Sequence, residues 1–229
     1  MIFSKSPARL RWEEAHNVPR FRPVYPHEQV VRWAFRSLDR NATPKAKVLD
    51  LGCGSGRHAI FLAAEGFDVC ACDISAVGLR ELQIFAKQRG VAVQCHHTPG
   101  HDLSHYGEGT FDAVLCFGVM YYMTLEEAER MIGEVLRVLR PGGKVCCVTR
   151  NDGDSRLLQA SLVGRCTWHI NALEPGAPSN MEEDMDMLFF SREEIEQMFS
   201  SFTSLSLDRM TYIHEGFVDD DWIVSASKP

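Results

Sequence analysis

Three glycines at alternate positions, Gly52, Gly54 and Gly56, follow the apolar run Val48-Leu49-Asp50-Leu51 and precede Arg57-His58 and the helix-compatible segment Ala59 to Ala64. Glycine accepts positive φ and lets a ligand approach bare main chain. A helix that starts at this point offers free N–H groups to electron-rich ligand atoms. The spacing is G-x-G-x-G. The pattern that grips a pyrophosphate is G-x-G-x-x-G, and Arg57 stands where its third glycine would be. Asp50 would repel a pyrophosphate and suits a cation. The chemistry is that of a cradle for a small, positively charged ligand without phosphate, which disfavours a nicotinamide dinucleotide. An ordinary Gly-rich turn is the plain alternative.

The elements that must hold this turn are legible around it. Residues 1–27 carry Pro7, Pro19, Pro23 and Pro26 and read as an arm with a short helix around Trp12 to His16. Glu28 to Leu38 is expected to be helical, with Val31, Phe35 and Leu38 on one stripe. Lys47 to Leu51 is the first strand, Arg57 to Glu65 a helix ended by Gly66, and Asp68 to Cys72 a second strand ending in Asp73. Ser75 caps a helix over Ala76 to Arg89, and Val91 to His96 is a third strand. Phe111 to Phe117 is the fourth. Thr124-Leu-Glu-Glu127 is a capping box opening a helix through Leu139, and Lys144 to Thr149 is the fifth strand. Such alternation means a parallel sheet with helices on both faces. Asn151 to Asn180 is the least regular stretch, and Met185 to Phe190 reads as an extra strand or an apolar lid. Ser191-Arg-Glu-Glu194 is a second capping box. Leu205 to Tyr212 and Asp221 to Ala226 are two last strands. Their link, Ile213 to Asp220, is too short for a parallel crossover, so the pair is expected to be antiparallel.

A chain of 229 residues, 45% hydrophobic, can bury one sizeable core, so a single domain is expected. The net charge of −7 argues against a nucleic-acid surface over the whole protein. Residues 1–40 hold eight Lys/Arg against four acids, which leaves −11 for the rest. No apolar run reaches the roughly 20 residues of a membrane span, and Met1 to Trp12 has no apolar core of a signal peptide. The eight cysteines include no C-x-x-C pair, and most fall in strands: Cys70, Cys72, Cys95, Cys116, Cys146 and Cys147. Reduced core thiols in a cytoplasmic protein, with no metal, are the expectation.

The turn Asp50-Leu-Gly-Cys-Gly-Ser-Gly56 and the layout from Lys47 to Thr149 with its closing hairpin resemble the class I S-adenosylmethionine (SAM) methyltransferases. Gly56-Arg-His58 and Leu62-Ala-Ala-Glu-Gly-Phe-Asp-Val69 are similar to their small tellurite-resistance and thiopurine branch. The resemblance implies an α/β, Rossmann-like fold with a seven-stranded, mostly parallel sheet and a C-terminal antiparallel hairpin. It divides the chain into an arm and helix (1–40), a SAM-binding core (45–150), a substrate-side insert (151–190) and a closing helix and hairpin (191–229). It implies SAM as cofactor and S-adenosylhomocysteine (SAH) as product. Asp50 and the backbone of Gly52, Gly54 and Gly56, with Arg57, would hold the methionine portion. Asp73 would take both ribose hydroxyls, since a carboxylate offers two acceptor oxygens. Ile74 would pack on the adenine. Asp102 and the Leu103 N–H would meet its amino group, and Phe117 and Gly118 would offer a carbonyl to the ammonium. The family's DNA and amide methylases carry N/D-P-P-Y/F after the fourth strand. Here Gly118-Val-Met-Tyr-Tyr122 stands instead, which disfavours those substrates.

Methyl transfer needs mainly proximity and alignment, with a base useful for a hydroxyl or ammonium acceptor. The motifs therefore dictate no catalytic residue. Arg20, Tyr25, Tyr122, Arg150 and His169 are the pocket candidates. The acidic run Glu182 to Asp186 reads as a solvated loop. A small-molecule acceptor methylated at oxygen or nitrogen is expected, and neither a nucleic acid nor a membrane. A SAM-binding module without turnover is the alternative. The basic arm is expected to close over the cofactor, and its arginines answer either an anionic acceptor or acids of the same fold.

Overall fold

The computed structural model describes residues 7–171 and 182–229. Residues 1–6 of the arm and 172–181 of the expected insert lie outside the described residues. The N-terminal part comprises α1 (Pro7–Ala15), a 3-10 turn at Pro19–Phe21 and α2 (Glu28–Ser37). The core runs β1 (Lys47–Leu51), α3 (Arg57–Ala64), β2 (Asp68–Asp73), α4 (Ala76–Arg89), β3 (Gln94–His97), β4 (Phe111–Phe117), α5 (Leu125–Val138) and β5 (Leu139–Arg150). Three short strands follow, β6 (Ala160–Gly164), β7 (Thr167–Ile170) and β8 (Met185–Leu188). The chain ends in α6 (Arg192–Met198), β9 (Thr203–His214) and β10 (Phe217–Ser227).

The main sheet has seven strands in the order β3-β2-β1-β4-β5-β10-β9. The first five are parallel, and β10 is antiparallel to both β5 and β9. The order reverses between β1 and β4, and the crevice above that point is where open α/β sheets bind ligands. Strand side chains alternate between two cores. Leu49, Leu51, Val114 and Cys116 face α5, α6 and β7–β8, whereas Val48, Ala113 and Leu115 face α2, α3 and α4. Both faces are covered, which is why β1 and β4 read as nearly unbroken apolar runs. Phe111, Phe189, Phe190 and Phe199 are fully buried, each contributing roughly 1.5–3 kcal/mol relative to exposure.

The local signals work as expected at the helix ends. Ser75 Oγ accepts the Gly78 N–H at 3.0 Å, and both capping boxes, at Thr124/Glu127 and Ser191/Glu194, are closed. Other elements differ from the sequence expectation. The buried face of α2 is Val30, Trp33 and Ala34, while Phe35 is exposed. The third strand starts at Gln94, later than expected. The link Ile213 to Asp220 is strand except for Glu215-Gly216, whose φ values of 50° and 85° make a two-residue hairpin turn. The irregular stretch after Arg150 contains an antiparallel three-stranded sheet, β6-β7-β8, anchored on the core by Ile170, Met187 and Leu188. All eight cysteines are free thiols, and all but Cys95 are buried.

Candidate active site

The glycine turn is fixed from behind by the strand beside it. The N–H groups of Gly52 and Cys53 both donate to the Cys72 carbonyl, at 2.8 and 3.1 Å. Gly52, Gly54 and Gly56 have φ of 70°, 53° and 86°, a region that side chains resist. A cavity of about 670 Å³ opens in front of the turn, lined by Gly52, Cys53, Gly54 and Ser55. Gly56 lies behind its wall as the N-cap of α3, where a Cβ would strike Leu82. Arg57 lines the cavity, its guanidinium 5.3 Å from the Phe117 ring. His58, not singled out from the sequence as a site residue, lines it too. Its buried Nε2 has no partner, and burial holds its pKa well below the usual value.

Two carboxylates flank the turn. Asp50 is 1% exposed, and its Oδ2 has no partner. Burial pushes its carboxyl up to about 7, against the pull of the Ala59 backbone N–H and the Arg57 guanidinium. A cationic group reaching Asp50 would supply what it lacks. Asp73 lines the cavity. Its Oδ2 accepts the Gly54 N–H at 2.7 Å and its Oδ1 the Ser75 N–H at 2.8 Å. Each oxygen keeps acceptor capacity, so a ribose diol fits there. Ile74, Phe117 and Gly118 also line the cavity.

Asp102 and Leu103 are not brought to it. The Asp102 Oδ1 accepts both the Ser104 N–H and the Ser104 hydroxyl, at 3.2 and 2.6 Å. Leu103 is core, and its N–H donates to Glu134 at 3.2 Å. The same loop turns Pro99, Gly100 and His101 to the cavity instead.

The arm lines part of the cavity, but its expected pocket residues Arg20 and Tyr25 do not take part. Arg11, Trp12, His16, Phe21 and Pro23 line it. Arg20 packs over Phe21, Arg22 pairs with Glu81 at 2.6 Å, and Tyr25 is 79% exposed. Trp12 stands edge-on to Tyr122, ring centroids 4.9 Å apart. The Arg11 guanidinium donates to the carbonyls of Glu183 and Asp184, at 2.7 and 3.1 Å. The spacing of Trp12 and His16, four residues apart on one helix face, is the signal that could have found this wall.

The short sheet supplies further lining, with Thr167, His169, Met185 and Asp186. His169 Nδ1 lies 2.9 Å from Asp186 Oδ1, and its Nε2 lies 3.5 Å from Asp184 Oδ1. Tyr122 also lines the cavity, and its hydroxyl donates to Glu182 at 2.8 Å. Glu182 is 3% exposed, so the acidic run is not a solvated loop throughout. Arg150 does not reach the cavity. It is buried among Asp154, Glu182, Asp219 and Asp221 at 3.2–3.7 Å, with Arg156 bridging Asp154, Glu182 and Asp219 beside it.

Residues 48–143 match the family described as a methyltransferase domain. A ubiquinone biosynthesis O-methyltransferase of Aromatoleum aromaticum is 32% identical over 128 residues, which cover 55% of this chain and 53% of the relative. The chain thus spans about half the length of the curated relatives it matches. Among solved structures, a SAM-dependent methyltransferase of Methanosarcina mazei superposes with a TM-score of 0.71 at 18% identity, over 89% of this chain and 98% of that one. The 1,6-didemethyltoxoflavin-N1-methyltransferase of Burkholderia thailandensis, solved with its acceptor and SAH, gives a TM-score of 0.64 at 20% identity, over 96% and 88%. The matched segment runs from β1 to Gly143 within β5, and the seven-stranded sheet closed by the antiparallel β10 gives the chain the fold of these solved SAM-dependent methyltransferases.

Proposed function

We propose that this chain moves the methyl group of SAM to an oxygen or nitrogen of a small-molecule acceptor. One observation carries the reading: the cavity that begins at Gly54 and Asp73 continues without a partition to Thr167, His169 and Asp186 of the short sheet. Its volume, about 670 Å³, lies within the roughly 300–1,000 Å³ of small-molecule sites. Bound SAM supplies an electrophilic methyl on a sulfonium whose sulfide is a good leaving group. In this reading Asp73 and Ile74, which line the cavity, would accept from the ribose and cover the adenine, and Asp50, buried behind the turn and outside the lining, would balance the ammonium.

The acceptor side has apolar walls, Trp12, Phe21, Tyr122, Met123 and Met185, suited to a flat or aromatic body. In this reading His169, whose Nδ1 meets Asp186, would take a proton from an acceptor hydroxyl at its Nε2, with the acceptor entering where Asp184 now lies 3.5 Å away. The relatives named as O-methyltransferases favour oxygen over nitrogen. Neither Arg20, stacked on Phe21, nor Arg22, paired with Glu81, lines the cavity, so the anionic-acceptor reading would fall to Arg11, an arm arginine that does.

The test is transfer of radiolabel from SAM to phenols, catechols and amines, with DNA, RNA and bulk protein alongside. Label should enter a small aromatic acceptor. His169→Gln should then slow transfer to a hydroxyl about a hundredfold and leave SAH affinity unchanged. Label confined to the polymer fractions would overturn the reading.

A further inference from the structure

Gly78 lies in the first turn of α4, a position where glycine is less favourable than alanine. Its N–H serves the Ser75 cap, a task open to any residue but proline. What singles out glycine is the space beside it. An added Cβ would stand 3.0 Å from His16 Nδ1 and 3.0 Å from the Gly54 carbonyl oxygen. A Cβ on Gly54 would in turn stand 3.1 Å from His16 Nε2. The imidazole from the arm therefore occupies a slot left by two glycines of different elements.

The slot is built. His16 is 5% exposed, lines the cavity, and its Nδ1 has no hydrogen-bond partner. A buried polar atom left without a partner calls for one. The residues around it are pinned. Glu13, one helical turn earlier, accepts the Ser75 hydroxyl and the Ala76 and Val77 N–H groups, each at 3.0 Å. Trp12 packs on the His16 ring, 5.8 Å between centroids. Both flanking glycines belong to the surroundings of Asp73. The Gly54 N–H donates to its Oδ2, and Gly78 caps onto Ser75, whose N–H donates to its Oδ1. Burial lowers the pKa of His16 more than Asp73 and Glu13 raise it. A neutral imidazole offers one donor and one acceptor.

We propose that His16 is a cofactor-binding residue supplied by the arm, hydrogen-bonding the nucleoside half of SAM and SAH from beside Asp73. The inference rests on the reading of the cavity as the SAM site. The test is calorimetric titration of the full chain with SAH and, separately, with adenosine. His16→Phe keeps the ring and removes the nitrogens. His16→Gln restores a polar end. His16→Phe should weaken both ligands about fivefold, as for loss of one neutral hydrogen bond, and His16→Gln should recover part of it. In the wild type, the His16 ring-nitrogen resonances should shift on addition of SAH, a readout that needs no variant. SAH and adenosine binding unchanged in His16→Phe, with no shift of those resonances, would make the ring packing alone. A loss for SAH without one for adenosine would overturn the nucleoside assignment. A wild type that binds no SAH would instead overturn the cofactor reading on which the proposal stands.

Discussion

Asp50 gives the site a pH dependence with a definite sign. Its carboxyl is raised from 3.8 to about 7 in the folded chain. Between those values the fold holds a proton that the unfolded chain releases, so stability falls as pH rises and is lowest above about 7. The penalty on the ionised form is on the order of 4 kcal/mol. A ligand ammonium favours the carboxylate, so SAM affinity should rise with pH through about 7. Asp50→Asn should melt several degrees higher than the wild type at pH 8 without ligand, bind SAM more weakly, and lose the pH slope. Thermal melts and calorimetry across pH 5.5–8.5 check this, and an unchanged slope would remove Asp50 from the ammonium. At this scale the sequence was readable where a residue's place follows from a strand end. Asp50, Asp73 and Gly118 stand where β1, β2 and β4 put them. Asp102 lies outside the cavity lining, where its Oδ1 closes a local turn with Ser104, as turn-forming acids commonly do.

Among the elements, α1 is held mainly by polar contacts. Its fixed points are Glu13 on the α4 N-terminus, Arg11 on the Glu183 and Asp184 carbonyls, and the buried Ala15 and His16. Few buried apolar groups and several replaceable hydrogen bonds make an element of low local stability. Deleting residues 1–26 should leave a cooperative melt and weaken SAH binding at least tenfold. Amide exchange in the full chain should show α1 protected only when SAH is present. An α1 protected equally without ligand would mark it as a fixed part of the fold. The helix itself is legible around Trp12 to His16, but its place at the cavity is not, because the contacts of Arg11, Glu13 and His16 are with residues 54–184, far along the chain. In α2 the opposite happened. Val31, Phe35 and Leu38 form as regular a stripe as Val30, Trp33 and Ala34, about one residue around the helix. Periodicity alone does not choose between them. Phe35 is used on the surface, edge-on to Phe61 at 5.9 Å and beneath the Arg40 guanidinium.

For the molecule as a whole, the buried charges around Arg150 and Arg156 join parts far apart in sequence. They tie the end of β5, the turn before β6, Glu182 before β8, and β10 into one knot. Removing one partner from such a cluster typically costs about 3–5 kcal/mol, since the remaining charges stay buried. Arg150→Met should lower the melting temperature by about 10 °C and loosen the short sheet before the main one. Melting followed by amide exchange decides it, and a change below about 2 °C would mean that Arg156 alone suffices. No local pattern announces this knot: the parallel core was legible because each of its units is short and repeats the same signals, whereas Arg150 finds Asp219 and Asp221 only once β10 has paired with β5. The grip of Arg11 on the carbonyls of Glu183 and Asp184 has a kinetic meaning. It joins the arm to the turn before β8, and residues of both line the one cavity, so on the proposed function cofactor and acceptor would share a boundary that this contact helps to hold. Loosening that boundary should speed passage in both directions, so Arg11→Ala should both bind and release SAH several-fold faster in stopped-flow displacement, and unchanged rates would mean that Arg11 does not gate the cavity.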